Sequence, residues 1–198
     1  MFALPHFSPR IILGVTSTGL ATIAWFIARL MRGFPNQPQL WVPRLITRCI
    51  SDIRRQDRIA VVWVGFVLWS GAVTTLHFAG LIFNIYTAVS WWDLLTHAMS
   101  GSGIAALVLL THRKQVVTHK AVWWVVPTVI AIGAGFEVYE FIFKSFWHEW
   151  SLRQYSIDTA VDLGMSTLGA LLVASIANHY ATVADDSQSG ISTPNHAD

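Results

Sequence analysis

Six side chains able to bind a metal or carry a proton recur in pairs at helical spacing. Asp93 and His97 stand at i and i+4, Glu137 and Glu140 at i and i+3, and Asp158 and Asp162 at i and i+4. Each spacing puts both members of a pair on one face of a helix. Five carboxylates and one imidazole cannot sit together bare. They need shared protons, basic partners or a bound cation. The nearest basic partners, Lys144 and Arg153, are too few to balance five acids. A divalent metal ion is therefore the expected cofactor, because Glu, Asp and His on facing helices are the usual donors in a bundle core. Its expected ligands are His97, Glu137, Asp162 and Asp93, with Glu140 or Asp158 as general base. His77 is a further candidate on the same side, whereas His148 and Glu149 read as plain loop residues. Competing readings make Asp93 and Asp158 interfacial helix caps and let Glu140 reach the outer surface.

The elements that carry these pairs are strongly apolar. Of 198 residues, 54% are hydrophobic and 12% charged, against about 25% charged in ordinary soluble domains. Five stretches are long enough to span a bilayer, which takes about 20 residues. They are 11–31, 59–80, 90–111, 121–143 and 157–180, and the expected fold is an all-α, polytopic transmembrane bundle. The rival is four spans with a re-entrant segment. The first stretch reads as a retained helix, because arginines follow it and no small-x-small cleavage site ends it. An ionisable group inside a membrane costs about 2.5–3.5 kcal/mol even on the gentler scale, so six of them on three spans demand a reason. The start of the third span, the end of the fourth and the start of the fifth share one membrane side. The three pairs can therefore meet at one depth.

Ten of the 13 basic residues fall in the connections after the first and third spans, including Arg44, Arg48, Arg54, Arg55, Arg113, Lys114 and Lys120. The positive-inside rule makes that side cytoplasmic. The N-terminus (1–10) and the acidic cluster then lie outside, the C-terminus inside, and the location is the inner or plasma membrane. Trp41, Trp123 and Trp124 mark the inner boundary, and Trp91, Trp92, Trp147 and Trp150 the outer one. Within the first connection, 44–56 reads as an amphipathic helix. It rests either on the inner leaflet or under the bundle. The tail, 181–198, is expected to be disordered. Gly101, Gly103, Gly133, Gly135, Gly164 and Gly169 allow close helix approach. The lone Cys49 excludes an internal disulfide and a Cys-rich zinc site. No nucleotide or nucleic-acid motif is present, so membrane lipids are the expected partners.

The three motifs Asp93-x3-His97, Glu137-x2-Glu140 and Asp158-x3-Asp162 resemble, in type and order, those of the YjdF-like group of small inner-membrane proteins. The likeness covers roughly residues 91–172. More distantly the chain resembles VanZ-like membrane proteins, where an Arg precedes the last motif as Arg153 does here. Glu140 and Ser166 depart from the VanZ-like pattern. The resemblance implies a polytopic membrane protein and no particular activity. Three functions remain: a divalent-metal-dependent enzyme acting on a lipid or envelope substrate, a proton- or cation-coupled transporter, and a structural or accessory subunit.

Overall fold

The computed structural model describes residues 9–30, 37–55, 58–112, 121–143 and 150–189. Seven α-helices account for nearly all of them: α1 (Pro9–Leu30), α2 (Trp41–Arg55), α3 (Arg58–Ile82), α4 (Ile85–Ala88), α5 (Trp92–Thr111), α6 (Val122–Phe143) and α7 (Leu152–Ser189). No strand occurs among the described residues. The stretches 58–82, 92–111, 122–142 and 152–181 are long and apolar enough to cross a membrane. The fifth expected span is α1, whose 22 residues reach about 33 Å at 1.5 Å per residue.

The four candidate spans α3, α5, α6 and α7 are apolar over most of their length, as helices facing lipid are. On α3, Val61, Val67 and Leu68 are 72%, 61% and 69% exposed, a pattern a water-facing helix of this length would not tolerate. Burial is concentrated on α5, α6 and α7. Ala105, Val108 and Leu109 of α5 pack with Trp124, Val125 and Val129 of α6 and with Ala170 and Ala174 of α7. Outside this trio, α1 packs on α6, and α3 packs on α5. The hydroxyls of Ser17 and Tyr155 meet at 3.2 Å and tie α1 to α7.

The closest approach is between α5 and α7. A Cβ on Gly101 would strike the backbone of Ser166, and one on Gly169 would strike the carbonyl of Ala98. These two glycines act as expected, whereas Gly135 and Gly164 have nothing within 4 Å and play no such part. Ser102 donates to the Ala98 carbonyl at 2.9 Å in the same contact zone. At the far end of the trio, Asn178 of α7 accepts the Ala121 backbone N–H at 2.6 Å. It thereby satisfies one of the orphan donors at the start of α6.

α2 packs against the bundle by one face and leaves another exposed. Asp52 is 3% exposed and accepts the Trp63 indole N–H at 2.9 Å, which holds α2 to α3. The other face shows Val42, Ile46, Ile50 and Ile53, each 46–65% exposed. Two sequence expectations are corrected. Trp124 is not a boundary anchor: it is 0% exposed, because three helices close over it, while Trp123 beside it points outward at 60%. The tail does not lose order at 181, because α7 continues to Ser189 after its apolar pattern has ended. Arg113, Lys114, Lys120, Lys144, Trp147, His148 and Glu149 lie outside the described residues.

Candidate functional site

The acidic pairs converge at the end of the bundle opposite α2. α5 begins there, with Trp91 as its N-cap and Asp93 in its first turn. Asp93 is thus inside the helix and not its cap, although a carboxylate there still suits the helix dipole. Asp158 is not a cap either, since α7 starts six residues earlier at Leu152. The Gly101–Ser166 contact lies one turn below both His97 and Asp162. It forces the two side chains toward each other, and the Ser166 hydroxyl donates to the His97 carbonyl at 3.3 Å.

His97 Nε2 stands 3.5 Å from Asp93 Oδ1 and 3.6 Å from Asp162 Oδ2. One donor atom of each of the three residues falls within 4.8 Å of the others. Both nitrogen–oxygen distances exceed the 2.7–3.2 Å of a good hydrogen bond. Two donors each about 2.1 Å from a tetrahedral ion are about 3.4 Å apart. The two His–Asp separations are close to that value and too wide for direct hydrogen bonds, so the trio could hold a cation. Asp162 is 2% exposed, and the ring of Phe136 flanks the imidazole with centroids 6.3 Å apart.

Glu137 is placed differently from the other expected ligands. It is 3% exposed, and its carboxylate accepts the Thr159 hydroxyl at 3.0 Å. It belongs to the same charge cluster, within electrostatic reach of Glu140, Asp158 and Asp93, but outside the three-residue set. Glu140 and Asp158 line a cavity of about 940 Å³, together with Asp93 and His97. Both therefore share that cavity with two members of the trio. Arg153 is exposed.

His77 joins the site through a partner that the sequence did not single out. Its Nδ1 lies 2.8 Å from the Tyr86 hydroxyl, and that hydroxyl is 3.5 Å from Thr96 Oγ1. α4 holds Tyr86 in place, and Asn84 enters α4 in the left-handed region at φ 52°, which Asn tolerates better than most residues. Burial pushes the Tyr86 hydroxyl above the usual phenol range, and the Asp93, Glu140 and Asp162 charges add to this. The phenol stays protonated and available as a donor at neutral pH. Tyr86 sits in a short link with no periodicity to flag it. Thr159 could have been noticed, because it lies between Asp158 and Asp162 on the same turn.

At the opposite end, His112 is 3% exposed between the rings of Trp41 and Trp124. Burial holds its imidazole below the usual range, and Arg44 and Arg48 push it the same way. It is a neutral packing residue.

A family model described as "Predicted membrane protein (DUF2238)" matches residues 17–182, and this is the YjdF-like group that the three motifs resemble. The match does not extend to the VanZ-like proteins. No curated protein and no solved structure matches the chain.

Proposed function

Because the chain belongs to the DUF2238 family of membrane proteins, whose description names no reaction, we propose a function from the site alone: a divalent-metal-dependent hydrolase acting on a lipid or lipid-linked envelope substrate. The observation that carries this reading is the spacing of Asp93, His97 and Asp162, 3.5 and 3.6 Å between neighbouring donor atoms, beside an open cavity. Three protein ligands with one open position is the arrangement of catalytic ions. An imidazole with two carboxylates suits zinc or manganese. Asp93, His97 and Asp162 would hold the ion, which would supply Lewis-acid chemistry when bound. Glu140 or Asp158 would take a proton from the attacking water as its oxygen bonds to the phosphorus or carbonyl carbon of the substrate. The bond to the alcohol breaks, and the proton passes to the departing oxygen.

The opposite half of α5, α6 and α7 is filled by Val108, Trp124, Val125 and their neighbours. This favours a one-sided site over proton- or cation-coupled transport. The arginines of α2 lie at the end away from the cluster, so the positive-inside rule supports an outward-facing site in an inner or plasma membrane. The test is the metal content of the purified protein. One equivalent of zinc or manganese is expected in the natural protein, falling at least tenfold in His97→Ala and Asp162→Ala. A protein that binds neither ion, and whose thermal stability neither substitution changes, contradicts the proposal.

A further inference from the structure

We infer that the substrate is a phosphate-bearing amphiphile, one of whose hydrocarbon chains lies in the cavity along α5. This inference rests on the metal-site reading above and deepens it.

The cavity has two unlike ends. Asp93, His97, Glu140 and Asp158 occupy one. From there it runs along α5 as far as Leu107, with Phe66 and Val73 of α3 on one side and Ile132 of α6 on the other. The distance from Asp93 to Leu107 along the helix is about 21 Å at 1.5 Å per residue, roughly two thirds of a 30 Å hydrocarbon layer. The cleft therefore follows the direction of a lipid tail and starts at the depth of the acidic site. Its volume of about 940 Å³ is near the top of the usual 300–1,000 Å³ range for ligand pockets. That suits one chain and a headgroup, with any second chain left in the bilayer.

One hydrogen bond within the cleft lining ties α3 to α5. Trp69 of α3 donates its indole N–H to the Met99 carbonyl at 3.0 Å. Gly103 sits under that ring, where a Cβ would come within 3.3 Å of it. The headgroup follows from the open coordination position. Carboxylates alone repel a phosphate, and a divalent ion would cancel the two charges of Asp93 and Asp162 and offer a phosphate oxygen that position. Binding of the amphiphile should thus require the ion, while the chain decides where the ligand lies.

The experiment uses the full chain in nanodiscs and a single-chain alkyl phosphate with a diazirine near the end of its chain. Crosslinked residues are mapped by mass spectrometry, and metal content is measured on the same sample. Labelling at Phe66, Ile104 and Leu107 is expected to exceed that at the lipid-facing Leu168 and Leu172 at least fivefold. The excess should vanish with a chelator, in Asp162→Ala, and with the matching alkyl alcohol. Val73→Phe, which narrows the cleft away from the ligands, should keep its metal and lose the excess. Bound metal without excess labelling overturns the amphiphile and leaves the metal site standing. Excess labelling that survives chelation, or that the alcohol gives equally, overturns the phosphate assignment. Absence of both metal and excess overturns this inference together with the reading beneath it.

Discussion

His97 owes its position to two acids on different helices. Asp93 comes from its own helix one turn earlier, at 36% side-chain exposure, and Asp162 from α7, at 3%. The imidazole is thus a bridge between a rim carboxylate and a buried one. Glu137 has a donor of its own in Thr159 and needs no cation to satisfy that oxygen. In the metal measurement, Glu137→Gln is therefore expected to keep at least half of the bound ion, where Asp162→Ala loses it. Equal loss in both variants would return Glu137 to the ligand set. The types and spacing of these residues were readable from the sequence, because i, i+3 and i+4 fix a face. The rotation of each face about its helix axis was not readable. It is set by where neighbouring helices touch, and this is why Glu137 turned toward Thr159 while Asp162 turned toward His97.

At the scale of the helices, the site depends on how closely α5 and α7 approach. Gly101 touches the Ser166 backbone one turn below the His97–Asp162 contact. A methyl group there has no flexible neighbour to push aside. Gly101→Ala is expected to cost about 1–3 kcal/mol through overpacking and to weaken metal binding by spreading the two ligands. Gly164→Ala, which faces open space, serves as the control and should alter neither property. A thermal unfolding scan with metal titration reads both. Unchanged metal affinity in Gly101→Ala would detach the site from the helix contact. The helices themselves were legible, since a run of about 20 apolar residues has few structures open to it in lipid. The six glycines were legible as candidates only. Which of them meets backbone depends on the crossing point, and composition does not encode that.

Across the whole molecule, the three acidic pairs gather at one end of the bundle and the arginines of α2 lie at the other, with an apolar core beneath the cluster. Cys49, the one cysteine of the chain, lies on α2 at the arginine end and is partly exposed. A membrane-impermeant thiol reagent is expected to leave it unlabelled in intact cells and to label it in inverted vesicles. The reverse pattern would turn the site toward the cytoplasm. The distribution of lysine and arginine gives the expected orientation, which this labelling tests. The cleft along α5 was not legible, because a cavity is the space left between side chains of three helices and has no sequence signature. The central claim is that Asp93, His97 and Asp162 hold one ion together. Its most direct test is the metal K-edge X-ray absorption spectrum of the zinc-loaded protein. One imidazole nitrogen among oxygen donors at about 2.0–2.2 Å is expected, with the imidazole signature gone in His97→Ala. A spectrum of oxygen donors alone, unchanged in that variant, would contradict it.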